Sequence, residues 1–459
     1  MIKKFIAAGT LLALSAGFAF AADFQIDQYE IETPLKYNVP YSGQYADRFP
    51  EGFPIGIGSG MTYVGLAKDG TRIFYAIGDR GPNADSPYVL VDGKKVPSKV
   101  FPAPDYTPSY GAIGLKDGKV TLLSRIEIKD TTGHKISGRP LPPNSVGSTG
   151  EIPLSDSYKV LSFDKEGLDT EGIAIDKKDG NLWICDEYGP FIAKMDVNTG
   201  RIIKKYSPGA GLPAIIAKRQ PNRGMEGIAV TPSNKVIGAV QSICDVDGKV
   251  SASKAPFTRL VWLDPDTGET KMFAYPVDVD AYKKCQDVKI GDLQAVSDTQ
   301  FLITEQGSGK DGLRNIIYLV DIKDATDLTD KKTAKGEELE MVSGADELKS
   351  LGIKMAGKKK IISLRDYGWK PSKAEGLALL PDMKTIAVCS DNDFGFGSVT
   401  INPAKNKDGK PVKKVTKYVL DDGKMTYDGS AVDTSFELKA TGEKAGFWMI
   451  TLPKKVTNY

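Results

Sequence analysis

The stretch Thr170-Glu171-Gly172-Ile173-Ala174-Ile175 returns as Met225-Glu226-Gly227-Ile228-Ala229-Val230 and as Ala374-Glu375-Gly376-Leu377-Ala378-Leu379. A weaker copy is Gly291-Asp292-Leu293-Gln294-Ala295-Val296, and Gly60-Met61-Thr62-Tyr63-Val64-Gly65 keeps the pattern without the acid. Each start is followed by a turn and a second apolar run that ends in polar or acidic residues, at 72–80, 181–187, 236–241, 301–306 and 385–393. Short β-branched runs bounded by Gly, Asp and Pro read as strands. Third strands are expected at 191–197, 259–263 and 316–322, and fourth strands at 201–206 and 269–275. The segments Asp196-Val197-Asn198-Thr199-Gly200 and Asp264-Pro265-Asp266-Thr267-Gly268 lack most of a calcium loop and read as hairpin turns.

Repeated four-strand units predict an all-β fold, a β-propeller with five units visible and five or six blades. Residues 447–452 would give the last unit its third strand, and residues 24–31 would close the ring as an outer strand. One domain, 22–459, is expected, with insertions near 84–108, 129–168 and 397–444. Residues 337–351 read as a short surface helix.

The 459 residues include 61 Lys and Arg, 59 Asp and Glu, and one His, for a net charge of +2. That balance offers no field for steering nucleic acid. One histidine excludes a two- or three-His zinc site and leaves His-based catalysis to His134 alone. His134 lies in the polar run Thr131-Thr132-Gly133-His134-Lys135, where a surface position is expected. Lys3 and Lys4, the apolar run 5–20 and Ala19-Phe20-Ala21 form a signal-peptide pattern (1–21), with a membrane anchor as the alternative. Cleavage would leave 59 basic and 59 acidic residues and a periplasmic or secreted protein. No later run approaches the length of a membrane span. Export permits disulfides, and Cys244 with Cys285, both in polar segments, are the expected pair. Cys185 and Cys389 sit in apolar runs and read as buried thiols.

In a propeller blade the first strand starts, and the second ends, on one face near the axis. Glu171, Glu226, Asp292 and Glu375 start first strands. Asp79, Asp186, Glu187, Glu305, Asp391 and Asp393 end second strands. Ten carboxylates would crowd one channel mouth, repel one another and suit Ca²⁺, which takes six to eight oxygen ligands. The competing reading is that each acid bonds backbone amides in a turn. Arg80, Arg223 and Lys373 accompany the acids and could bind phosphate oxygens, or could pair with the carboxylates. The sequence has no Gly-x-Ser-x-Gly elbow and no Walker A loop, so any hydrolysis points to metal-activated water.

Ala76-Ile77-Gly78-Asp79-Arg80-Gly81, Asp169-Thr170-Glu171-Gly172, Asp186-Glu187-Tyr188-Gly189, Met225-Glu226-Gly227 and Ala374-Glu375-Gly376, with Ser390-Asp391-Asn392-Asp393 after it, resemble the phytase-like family. The resemblance runs from about Gly58 to Leu452. It implies an exported protein related by name to calcium-dependent propeller phytases, hence phosphomonoester hydrolysis. The expected function is a calcium-dependent phosphoesterase acting on a small phosphorylated substrate, with Glu226 or Glu171 orienting the attacking water. Alternatives are a calcium-dependent carboxylic ester or lactone hydrolase and a binding propeller without chemistry.

Overall fold

A computed structural model describes residues 23–459. The expected signal segment lies outside the described residues. The fold is all-β. Its one α-helix among the described residues is Ala345–Ser350, inside the stretch expected to be helical. No helix among the described residues is long and apolar enough to cross a membrane.

Five antiparallel sheets follow the repeats. The first holds Gly60–Leu66, Arg72–Ile77, Ser109–Lys116 and Lys119–Leu122. The second starts with Thr170–Ile175, Leu182–Asp186, Ile192–Met195 and Ile202–Pro208. The third holds Met225–Val230, Val236–Val240, Phe257–Leu263 and Thr270–Pro276. The fourth holds Lys289–Ala295, Gln300–Gly309, Gly312–Asp321 and Gly357–Ser363. The fifth holds Gly376–Leu379, Thr385–Cys389 and Gly446–Thr451, with Gln25–Glu32 as its outer strand. The residues near the two chain ends thus take the places expected of them. Ile31 and Glu32 also pair in parallel with Val120 and Thr121, which joins the fifth sheet to the first.

The first strands touch in cyclic order, each the next and the fifth the first. Packing explains the sequence pattern. Met225–Val230 and Val236–Val240 are buried at every position because sheets cover both their faces, so they read as unbroken apolar runs. The outer strand Gln25–Glu32 is mostly exposed and largely polar. The core lies in seams between sheets: Trp183 and Tyr206 of the second sheet, for example, join Ile237 and Leu260 of the third. The hairpin reading of 196–200 holds: Asp196 Oδ1 accepts from the amides of Asn198 and Thr199 at 3.1 and 2.8 Å, and Gly200 takes φ 71°.

Residues between repeats build further sheets that pair with one another. Ser98–Val100 runs parallel to Ile152–Leu154, and Tyr88–Val91 runs parallel to Val419–Asp421. Phe396–Ile401 pairs with Ser435–Ala440.

Candidate functional site

The repeated acid-Gly step has a local cause. Strand pairing slips between Thr170 and Gly172, between Met225 and Gly227, and between Ile290 and Leu293. Glu171, Glu226 and Asp292 therefore occupy bulges, which re-aim a side chain out of the ladder. The glycine that follows lets neighbouring first strands converge. A Cβ on Gly172 would stand 2.9 Å from the Ile228 nitrogen, and one on Gly227 would stand 2.8 Å from Asp292 Cα.

Strand register supplies the other half of the site. Gly60, Gly172, Gly227 and Gly376 pair with Ile77, Cys185, Ala239 and Cys389. Two residues beyond those partners stand Asp79, Glu187, Gln241 and Asp391, on one parity of their strands. Two groups of carboxylates result. Oxygens of Asp79, Asp391 and Asp393 lie within 4.8 Å of one another, as do those of Asp169, Glu171 and Glu187. Gln241 Nε2 ties the second group to the third sheet, donating to Glu187 Oε1 at 2.9 Å and Glu226 Oε2 at 2.5 Å. Gln306 Nε2 donates to Glu375 Oε1 at 3.3 Å, while its Oε1 accepts from the Ala374 amide. Glu375 Oε2, Asp169 Oδ2 and Gln241 Oε1 are buried and have no hydrogen-bond partner.

Asp79, Glu171, Glu187, Glu226, Glu375 and Asp391 are each at most 8% exposed. Burial first, then Glu226 and other carboxylates, pushes the Glu171 acid well above its ordinary range. Burial and then Glu187 do the same to Glu226, and burial and then Asp391 do so to Asp79. Glu187 rises to about 8, through burial and then Asp169. Asp391 rises to about 7, through burial that Lys373 only partly offsets. Lys373 Nζ lies 3.0 Å from Asp393, 3.3 Å from Asp391 and 3.6 Å from Glu375, and it holds the Asp393 carboxyl below its usual range. The cluster reaches solvent here: the Lys373 side chain is 35% and the Asp393 side chain 54% exposed. So many buried acids with few basic partners suit a divalent cation.

Three expected ligands go elsewhere, and for them the amide or ion-pair reading replaces the metal reading. Asp292 accepts from the amides of Met61 at 3.1 Å, Leu293 at 2.8 Å and Leu377 at 3.0 Å. Asp186 accepts from the amides of Asp169 at 2.7 Å and Gly189 at 2.8 Å. Glu305 points between sheets, taking the Tyr275 hydroxyl at 2.9 Å and an ion pair from Lys358.

The cations also divide. Arg80 Nε lies 3.1 Å from Asp169 Oδ2 and its Nη1 lies 3.7 Å from Glu151, yet both nitrogens are buried without a hydrogen bond. Arg223 Nη1 is occupied by Gln286 O at 2.5 Å and Ser242 Oγ at 3.2 Å. His134 is exposed and bonds Thr132. Cys244, one half of the expected bridge to Cys285, is a free buried thiol beside Glu340. The Cys285 side chain itself lies outside the described residues.

Sequence reasoning missed Asp169, Gln241, Gln306 and Lys289. Lys289 stands three residues before Asp292, as Arg223 stands three before Glu226, and that spacing was a usable signal. Burial raises the carboxyls of Glu187, Glu226 and Glu375, and the Lys289 charge offsets part of that rise.

No curated protein matches the chain. Solved structures that align with it are distant. A putative 6-phosphogluconolactonase from Bacteroides uniformis is 11% identical at a TM-score of 0.31, covering 87% of this chain and 91% of its own. The periplasmic gluconolactonase of Pseudomonas aeruginosa is 10% identical at a TM-score of 0.27, covering 81% and 86%. The phytase-like family, described as "esterase-like activity of phytase", matches residues 54–394. That match takes in both carboxylate groups and well over half of the sequence, and the chain belongs to this family.

Proposed function

We propose that the chain is an exported, calcium-dependent phosphoesterase whose five repeat sheets are the blades of a propeller. The single observation that carries the reading is the pair of carboxylate groups, Asp79–Asp391–Asp393 and Asp169–Glu171–Glu187, gathered where the first strands meet. The residues fit Ca²⁺: the donors are all hard oxygens, and buried oxygens of Asp169, Glu375 and Gln241 accept no hydrogen bond. The two groups, with Glu226 and Glu375 beside them, would hold the ion. Bound calcium supplies charge neutralisation and a lowered pKa for water.

The chain's own groups do the rest. Arg80 keeps two buried donor nitrogens free of hydrogen bonds, and a phosphate oxygen would satisfy them. Tyr188 packs under the guanidinium, with Arg80 Cζ 5.4 Å from the ring centroid. Gln241 fixes the side chains of Glu187 and Glu226, and Glu226 or Glu171 orients the attacking water. Lys373 offsets charge on the solvent side of the cluster.

The test is release of phosphate from p-nitrophenyl phosphate and phytate, with Ca²⁺ and with chelator. p-Nitrophenyl acetate serves as the carboxylic ester control. Calcium-dependent phosphate release that Glu226→Gln abolishes is expected. Turnover of the acetate alone would favour a carboxylic ester hydrolase. No release above the Glu226→Gln background would leave a binding protein.

A further inference from the structure

Residues 402–417 read Asn-Pro-Ala-Lys-Asn-Lys-Asp-Gly-Lys-Pro-Val-Lys-Lys-Val-Thr-Lys, six lysines against one acid. All six (Lys405, Lys407, Lys410, Lys413, Lys414 and Lys417) are exposed. Among the described residues none of them is in an ion pair, whereas Lys99, Lys358, Lys373 and Lys444 each have a carboxylate partner. A run of surface lysines is ordinarily a solvated face. This one is held in place. Tyr418 OH donates to Val412 O at 2.7 Å and accepts from the Ala404 amide at 2.9 Å, closing the hairpin at its base. Thr400 Oγ1 donates to Lys413 O at 2.6 Å.

Its position is set by two segments that both leave the carboxylate mouth. Phe396–Ile401 starts just after Asp393 and leads into the hairpin. The strand Val419–Asp421 leaves it and pairs with Tyr88–Val91, which follows Asp79 and Arg80, with the Tyr88 amide donating to Tyr418 O at 3.0 Å. Between hairpin and mouth, Lys99 binds Asp85 at 2.7 Å, and Ser398 Oγ donates to Asp85 O at 3.2 Å. Burial raises the Asp85 carboxyl, but Lys99, with Lys414 and Arg80 adding to it, holds it below its usual range. Positive charge therefore runs from Lys373 past Lys99 to the lysine hairpin, on the side where the cluster reaches solvent.

We propose that the 402–417 hairpin is an anion-binding arm that takes the outlying phosphates of a ligand carrying several, while one phosphate reaches the mouth. The inference rests on the phosphoesterase reading for the fate of that one phosphate, but the arm's binding is testable without turnover. A ligand with a single phosphate, placed at Arg80, leaves no second phosphate for the arm. Clustered charge on a held hairpin attracts such anions in a salt-dependent way.

The probe is inorganic tripolyphosphate, compared with orthophosphate, by calorimetry on the full chain in chelator, so that no metal contributes. Tripolyphosphate should bind more tightly than orthophosphate and weaken as salt rises. Lys410→Ala/Lys413→Ala/Lys414→Ala should lose about tenfold in tripolyphosphate affinity, with orthophosphate binding and thermal melting unchanged. Equal binding of tripolyphosphate by wild type and triple variant overturns the proposal. So does binding to phosphatidylglycerol vesicles without binding to tripolyphosphate, which would make the arm a membrane contact. If the triple variant loses tripolyphosphate but neither protein releases phosphate from any ester, the arm stands and the phosphoesterase reading falls.

Discussion

Gln241 Nε2 sits 2.5 Å from Glu226 Oε2, a neutral amide between an acid of its own sheet and one of the second sheet. The same amide reaches Glu187 at 2.9 Å, so one donor group keeps two buried carboxylates apart. Gln241→Leu removes that donor and leaves both acids facing each other. In chelator the variant should lose about 1–3 kcal/mol of stability, read by urea denaturation. Gln241→Glu adds another carboxylate and should bind Ca²⁺ more tightly than wild type by calorimetry. Equal or weaker binding would place the ion away from this amide.

The crowded acids give stability a definite pH sign. Asp391 and Glu187 have folded values of about 7 and about 8, above the ordinary carboxyl range. In the metal-free protein the folded state keeps protons that the unfolded state has already released. The stability from these groups is fully present below about pH 4 and is lost as pH rises through about 7 to 8. Metal-free protein should therefore melt at a higher temperature at pH 5 than at pH 8. Added Ca²⁺ should raise Tm more at pH 8, where the ligands are ionised. A calcium shift larger at pH 5 would remove these carboxylates from the ligand set.

Asp292 ties strands rather than metal. Its carboxylate takes amides from the first strands of the first, fourth and fifth sheets. Asp292→Ala would strand three buried donors and should cost at least about 3 kcal/mol in urea denaturation. Calcium stoichiometry in the folded variant should match wild type. A lost calcium site would return Asp292 to the ligands.

Glu305 and Lys358 form a buried pair between sheets, with the Glu305 side chain fully covered. Lys358→Met alone leaves an unpaired buried acid and should cost about 3–5 kcal/mol. Glu305→Leu/Lys358→Met should recover most of that loss. Additive losses in the double variant would contradict the pairing.

The repeat Thr170-Glu171-Gly172 and its copies made the sheet order readable, because each copy needs both a bulge and a close neighbour. The acids were only partly readable. Asp292 fills the same slot as Glu171 but is one methylene shorter, so its carboxylate stays among the bulge amides and does not reach the mouth. Glu305 and Asp186 are acids at a strand end, where parity rather than composition decides. One position later, Gln306 and Glu187 face the mouth. Gln241 and Gln306 carry no charge, so charge does not mark them as part of the site. Asp169 stood in plain view beside Thr170, and its role depends on the Arg80 backbone, whose amide it accepts at 3.0 Å, a contact made across 89 residues of chain.

The pairing of Gln25 with Thr451 has a kinetic consequence. The fifth sheet obtains its outer strand from the opposite end of the polypeptide, so that sheet is incomplete until nearly the whole chain is available. Such a long-range contact forms late, because its loop-closure cost comes before its reward. Asp391 and Asp393 directly follow a strand of that sheet, Thr385–Cys389, and a competent site should be among the last features to appear during refolding.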